Sequence, residues 1–469
     1  MIIDNFEEIK NNIYPVIIVG SGPAGISLAL KLEKQKINCL ILEAGKEKYD
    51  HQSQQFYEGI VIGDSITNLK HSRLRQLGGT SGHWGGWCKP MDRYNIESWG
   101  LDYNEISKYS SETCDILSLK NNFSKSQLNN YFNQIQFQYS KVRFAKKFLG
   151  IIQKSKYISL VTNAHVSHFI GDNGVVKSVS VRINEKDYSL KSKIFVSSCG
   201  GVENSRILLW TKELNNNLIN KDIPIGNYWM THPWIIGGIG VIKKKKLRKL
   251  LKDRFIDHDG PLHIATSSNI VSEKKILSGA IYMNATEDNK IYKEVIKDLL
   301  CTSPEYGKKI AKKLFDKDLK CGNIFMNLEE EANRNNRITL HKNIKDKNGI
   351  PITQLFYKKS PKTLFSAKTI MQELGKFLIN KDIGRIALKK EIENLENYEN
   401  LGVHHHMGGT RIGDNLKKSV VDKNLKVHEI KNLYVAGSSV FKSSGYSNPT
   451  YTIVQLSLRL SNEIKKKIS

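Results

Sequence analysis

Residues 16–43 leave this chain little freedom. Val16-Ile17-Ile18-Val19 is a continuous apolar run that stops at Gly20, as expected of a strand buried on both faces of a parallel sheet. Gly20-Ser21-Gly22-Pro23-Ala24-Gly25 follows, and Ile26, Leu28, Ala29, Leu30 and Leu32 then supply the apolar side of a helix. Cys39-Leu40-Ile41-Leu42 is a second apolar run, ending at Glu43. Strand, helix and strand in about 30 residues make a βαβ unit with parallel strands.

The glycines sit where that unit meets a phosphate. Gly20 permits the tight turn, Gly22 lets bare backbone approach a pyrophosphate, and Gly25 allows the helix to pack closely on the strand. The helix N-terminus adds free N–H groups and the positive end of its dipole. Glu43, 23 residues after Gly20, ends the second strand where a carboxylate can accept hydrogen bonds from ribose hydroxyls. A dinucleotide site is expected, and these residues alone do not separate NAD from FAD.

Composition narrows the class. A chain of 469 residues, 39% hydrophobic and 25% charged, has material for about three domains and a large core. No apolar run approaches the ~18 residues of a membrane span, and the acidic N-terminus is unlike a secretory signal. The six cysteines show no paired spacing, which fits free thiols in a reducing compartment, so a cytoplasmic protein is expected. The net charge of +26 raises nucleic acid as a partner. The excess is mainly lysine spread along the chain, however, and the clearest cluster, residues 243–252, lacks the aromatics that base stacking needs. Its leucines at helical spacing suit a membrane surface or docking face instead, so peripheral membrane contact is a further expectation and no nucleic acid is expected.

Further motifs lie downstream. Leu77-Gly78-Gly79-Thr80-Ser81-Gly82-His83-Trp84-Gly85-Gly86-Trp87 is a loop whose glycines can approach a flat ligand and whose tryptophans can wall a pocket. Strands are expected at Val175–Ile183, at Ile194-Phe195-Val196 and over Asn432–Gly437, with a long helix from Tyr451 to Ile464. Residues from about 230 to 400 mix strands with lysine-rich helices. In Val403-His404-His405-His406-Met407-Gly408-Gly409-Thr410-Arg411, alternation would put His404 and His406 on one side and His405 on the other. No second ligand set accompanies these histidines, so no metal is expected, and a neutral imidazole suits general-base work on an alcohol. Asn448 offers a donor and an acceptor, and it also stands where a helix N-cap would precede Pro449.

Together the glycine motif, the GGTSGHWGG loop, Gly200-Gly201-Val202-Glu203-Asn204-Ser205-Arg206, the HMGGTR segment and the stretch from Asn432 to Arg459 resemble the glucose-methanol-choline (GMC) oxidoreductases. The match is closest to the pyranose-oxidase-like and bacterial sugar dehydrogenase branch. The resemblance implies an α/β (overall α+β) fold: a discontinuous FAD-binding Rossmann-like domain of glutathione-reductase type, with a substrate domain of antiparallel sheet and helices. Residues 1–100, 155–230 and 400–469 would form the first, and 101–154 and 231–399 the second.

Carried over by position, His406 resembles the active-site histidine and Asn448 its partner. His83 falls where the pyranose-oxidase branch attaches FAD covalently, and Val166 resembles a backbone contact to adenine. Gly79, Thr80, Gly437, Ser438, Pro449 and Thr450 complete the implied FAD contacts, although many relatives carry aspartate near Gly437. The implied reaction is oxidation of a CH–OH group of a sugar or other alcohol, with hydride passing to flavin N5 and electrons to O2, a quinone or a redox protein. A redox-neutral flavoprotein lyase and a basic flavoprotein acting on nucleic acid stand as alternatives.

Overall fold

The βαβ unit seeds the first sheet. The computed structural model describes all residues except 1, 4, 5, 9–11, 124, 216, 251–262, 285–302, 304, 307–318, 403 and 469. Tyr14–Val19 lies parallel to Cys39–Leu42 on one side and to the end of Lys186–Ser197 on the other, so Ile17 faces Leu40 and Phe195. Ile158–Val161 and Leu433–Val435 extend the sheet at its two edges, again in parallel. Val16 to Val19 are buried throughout, which is why the run carries no polar alternation. Pro23 opens the helix Pro23–Lys34, which packs on these strands and against the C-terminal helix Thr450–Ile468.

Lys186–Ser197 serves two sheets' worth of pairing. Its last residues belong to the parallel sheet, while its first half pairs antiparallel with Val175–Ile183, which in turn pairs with Ala164–Asp172. The strand expected over Asn432–Gly437 is shortened to Leu433–Val435, and the chain turns at Gly437 with φ +116. The helix expected from Tyr451 to Ile464 runs over Thr450–Ile468.

The middle of the chain builds a second sheet, entirely antiparallel. Its spatial order is Gly384–Leu388, Trp234–Lys243, Leu319–Leu328, Gly279–Asn284, His263–Thr266, Phe132–Ile135 and Lys125–Gln127. The helix Pro361–Asn380, capped by Ser360, covers it by burying Leu364, Ile370, Met371 and Phe377 against Ile235, Ile324, Met326 and Leu328. A smaller sheet was not legible in the sequence: Pro351–Tyr357 pairs antiparallel with Arg337–Lys345 and parallel with Gly59–Gly63.

Among the described residues, no helix is long and apolar enough to cross a membrane. Within the basic run 243–252, Lys243 and Lys246 pair with Asp382, and Lys244–Leu250 is helical. Leu251 and Lys252 lie outside the described residues, as does Cys301. Cys39, Cys88, Cys114 and Cys199 are free thiols.

Candidate active site

One cavity of about 850 Å³ runs between the two sheets. At one end the strand Tyr14–Val19 delivers the chain into the glycine turn. Gly20 adopts φ +99, and a Cβ there would stand 2.7 Å from the Ser198 carbonyl oxygen. A Cβ on Gly25 would stand 2.0 Å from the Gly20 oxygen, so helix and turn touch backbone to backbone. Gly22 differs: a Cβ there would meet nothing within 4 Å, because that side opens on the cavity. Gly200, at the start of the helix Gly200–Leu214, is likewise open, and Gly437 has no neighbour nearer than 3.7 Å. Bare backbone and two helix N-termini therefore converge on one volume. This is the donor set that a pyrophosphate requires, and it fits the expected dinucleotide.

Glu43 is buried beside the turn. Its Oε2 accepts from Ser21 N at 2.9 Å and Ser21 Oγ at 2.6 Å, and its Oε1 accepts from Gly45 N at 2.7 Å. Val166 also lines this end, beside His165 and Arg75. Burial, and then the Arg75 guanidinium, pushes His165 down to about 3, so that ring is neutral and accepts from Arg75 at 2.8 Å. A buried charge network closes the wall here: Arg73 to Glu203 at 2.7 Å and Arg206 to Asp346 at 2.6 Å.

The glycine-dense loop lies on the turn. Gly79–Gly82 is a short 3₁₀ helix, and a Cβ on Gly79 would stand 3.1 Å from Gly22 Cα. Thr80 Oγ1 accepts from Leu74 N at 3.2 Å. His83, exposed to solvent, also lines the cavity, as do Trp84 and Trp87. Burial, and then His404 and Arg143, lowers the His83 pKa, leaving a neutral imidazole.

The histidine segment reaches the cavity from the other end of the chain. His404, His405 and His406 all line it, and their exposures differ. His404 is exposed and His405 partly so, whereas His406 is 5% exposed, packed on Trp229 with its Nε2 2.8 Å from Ser72 Oγ. The His406 carbonyl accepts from Ser438 Oγ at 2.6 Å. His405 Nδ1 meets His232 Nε2, and its own Nε2 makes no hydrogen bond among the described residues. Burial, and then His232, His404 and His406, holds His405 well below the usual imidazole range. Asn448 lines the same cavity without a hydrogen bond among the described residues, and Pro449 and Thr450 lead into the terminal helix.

The second sheet supplies the facing wall. Trp234, Tyr282, His263 and Phe137 line the cavity, and Phe325, which does not, stacks between Trp234 and Tyr282, so that successive ring centroids from Trp234 through Phe325, Tyr282 and His263 to Phe137 stand 5.6, 5.1, 5.1 and 4.5 Å apart. Asn327 and His232 add neutral polar groups there. Every site residue named from the sequence except Gly25 lines the cavity, and Gly25 acts through packing. Sequence reading missed His232, His263, Tyr282, Ser72 and Arg73. None of these stands in a spaced motif; His232-Pro233 before an apolar strand was the only local signal. Among the described residues, no three side chains group as metal ligands would.

Comparison with known proteins agrees with this geometry. A family model described as GMC oxidoreductase matches residues 332–457, and one described as FAD binding domain matches 13–56. The fructose dehydrogenase large subunit of Gluconobacter japonicus is 21% identical, over 96% of this chain and 97% of that protein. Pyranose 2-oxidase of Emericella nidulans is 29% identical over 29% of this chain and 24% of its own. The structure of pyridoxine 4-oxidase from Mesorbium loti superposes with TM-score 0.58 at 11% identity, covering 96% of this chain and 99% of that one. Matched segments at both ends of the chain lead to one conclusion: residues 332–457 carry the GMC oxidoreductase match, residues 13–56 the FAD-binding one, and the chain is an oxidoreductase whose cofactor is FAD.

Proposed function

We propose that the chain oxidises a CH–OH group of a neutral sugar or other alcohol, with His405 accepting the hydroxyl proton and Asn448 orienting the hydroxyl. The observation that carries this reading is that His405 and Asn448 both line the one cavity that begins at the glycine cradle. FAD, when bound, supplies the hydride acceptor. Held below the usual imidazole range, His405 is unprotonated near neutral pH and can take a proton. Asn448 can donate to the substrate oxygen and accept from its hydroxyl. The sequence reading assigned the base to His406. Both rings line the cavity, but His406 is buried with its Nε2 held by Ser72 and its Nδ1 without a partner, whereas His405 is partly exposed and its Nε2 makes no hydrogen bond among the described residues. The support for an alcohol or sugar is the wall chemistry together with the names of similar proteins, a fructose dehydrogenase subunit and a pyranose oxidase. The cavity that His405 lines combines rings with neutral polar groups, including Trp234, Tyr282, Asn327 and Asn448. Aromatic faces suit the C–H side of a sugar ring, and neutral donors and acceptors suit its hydroxyls.

The FAD is further proposed to be joined to the chain at His83. Anaerobic mixing with fructose, glucose, other pyranoses, glycerol and benzyl alcohol tests the reaction. Bleaching of the flavin band by a member of this panel is expected. An FAD-loaded enzyme that no panel member bleaches would refute this substrate class.

A further inference from the structure

Met230 and Met407 exchange both backbone hydrogen bonds at 2.8 Å, forming an antiparallel bridge. Pairing runs outward symmetrically from such a bridge, so His232 stands opposite His405, two residues on and on the same face. The rings accordingly meet, with centroids 4.4 Å apart and His232 Nε2 against His405 Nδ1. Glu330 fixes this arrangement from beneath. Its carboxylate accepts from Thr231 N at 2.8 Å, and its own N–H donates to Ser444 Oγ at 2.8 Å, in the loop that leads to Asn448.

Two neutral imidazoles bonded nitrogen to nitrogen share one proton, so one ring donates and the other accepts. If His232 donated, His405 Nε2 would carry a hydrogen and face the cavity as a donor. If His405 donates, its Nε2 keeps a lone pair there. The proposed role of His405 decides between these. A proton acceptor must keep the lone pair on its cavity-side nitrogen, so the His405 proton sits on Nδ1 and His232 Nε2 accepts it. The proton of His232 is then on its Nδ1, which is buried and has no hydrogen-bond partner among the described residues.

We propose that His232 is a positioning residue that fixes the tautomer of His405, holding its proton on Nδ1 and its lone pair on Nε2 toward the cavity. The proposal rests on His405 as the proton acceptor. As the substrate's hydroxyl proton arrives at His405 Nε2, the Nδ1 proton can move toward His232 Nε2. The pair gains one proton in all, and its charge spreads over two rings.

The test is spectroscopic first. In FAD-loaded enzyme with ¹⁵N-labelled histidine, the His405 Nδ1–H should give a downfield proton resonance, assigned by its loss in His405→Ala. His232→Ala should abolish or shift that resonance, and His232→Gln, whose amide oxygen can accept from Nδ1–H, should restore it. With the panel sugar or alcohol that bleaches wild type fastest, flavin reduction should slow about 10- to 100-fold in His232→Ala, below the full loss of a base, and largely recover in His232→Gln. An unchanged resonance in His232→Ala overturns the proposal. So does a Gln variant that restores neither signal nor rate while FAD content and Tm match wild type. If His405→Ala reduces flavin at the wild-type rate, the proton-acceptor reading falls instead, and the resonance still decides the tautomer.

Discussion

Ser21 and Glu43 hold one another: the carboxylate accepts the Ser21 N–H at 2.9 Å and its hydroxyl at 2.6 Å. The acid read from the sequence as a ribose ligand therefore also braces the glycine turn, and a carboxylate has lone pairs for both tasks. The turn's shape is thus set by protein contacts, so binding and folding can be separated at its glycines.

Gly22→Val and Gly25→Val should fail in different ways. Gly22 has φ −69 and ψ −174, open to any residue, and its Cβ would face only the cavity. The Gly22→Val protein should fold but purify without FAD, because the side chain occupies the pyrophosphate path. Gly25→Val would drive a side chain into the Gly20 carbonyl at 2.0 Å and should cost more than the about 1–3 kcal/mol of ordinary overpacking. Wild type should be yellow, with one FAD per chain. Absorbance and circular dichroism on the three proteins check both statements; a yellow Gly22→Val would contradict the cradle.

The three consecutive histidines should separate kinetically. His405→Ala should slow anaerobic flavin reduction about 100-fold or more, the scale of a lost general base. His406→Ala removes the contact to Ser72 and should cost less in rate and more in thermal stability, since that ring is buried. Exposed His404 should matter least. Equal rates for His405→Ala and wild type, with FAD bound, would return the role to His406.

Glu330 should make stability depend on pH in an unusual direction. Burial raises its pKa from the usual 4.5 to about 7, despite hydrogen bonds from Thr231 N and Tyr357 Oη. Between those values the native state holds a proton that the unfolded chain has released, so this group's contribution falls as pH rises. His232, lowered to about 4 from 6.5, acts oppositely, because the unfolded chain binds a proton the native ring does not. The two trends offset one another in wild type. Glu330→Gln can still accept from Thr231 N through its amide oxygen, can donate its NH2 to Tyr357 Oη in place of accepting from it, and cannot ionise, so its stability should match wild type near pH 4 and exceed it by about 1–3 kcal/mol at pH 8. Parallel denaturant titrations at these two pH values check the difference; no pH-dependent gap would contradict the raised pKa.

What the sequence made legible were local patterns with a backbone reason. Val16–Val19, the three glycines and Glu43 announce themselves because turn, strand and acid lie within 30 residues of one another. The facing wall could not be read this way. Trp234, Asn327, Tyr282 and His263 come from four strands whose adjacency arises only when the second sheet forms, and each alone looks like an ordinary strand residue. The histidines are instructive too. Alternation would put His405 on the side opposite His404 and His406, yet all three line the cavity, and the register that sets His405 against His232 comes from the Met230–Met407 bridge, a contact between distant segments.

The sharpest outcome concerns His83. Its ring lines the cavity beside Trp84, at the end of the 3₁₀ turn that rests on Gly22, and its lowered pKa leaves it a neutral nucleophile. A bond from this imidazole to the flavin's 8α carbon would withdraw electrons from the ring system and raise its reduction potential, which favours hydride acceptance from an unactivated alcohol. Acid precipitation of wild type should therefore leave a yellow pellet. His83→Ala should release its flavin to the supernatant and show a lower reduction potential, with FAD still bound before acid because the glycine cradle is untouched. A colourless wild-type pellet would remove the covalent link while leaving FAD, the cradle and the role of His405 where they stand.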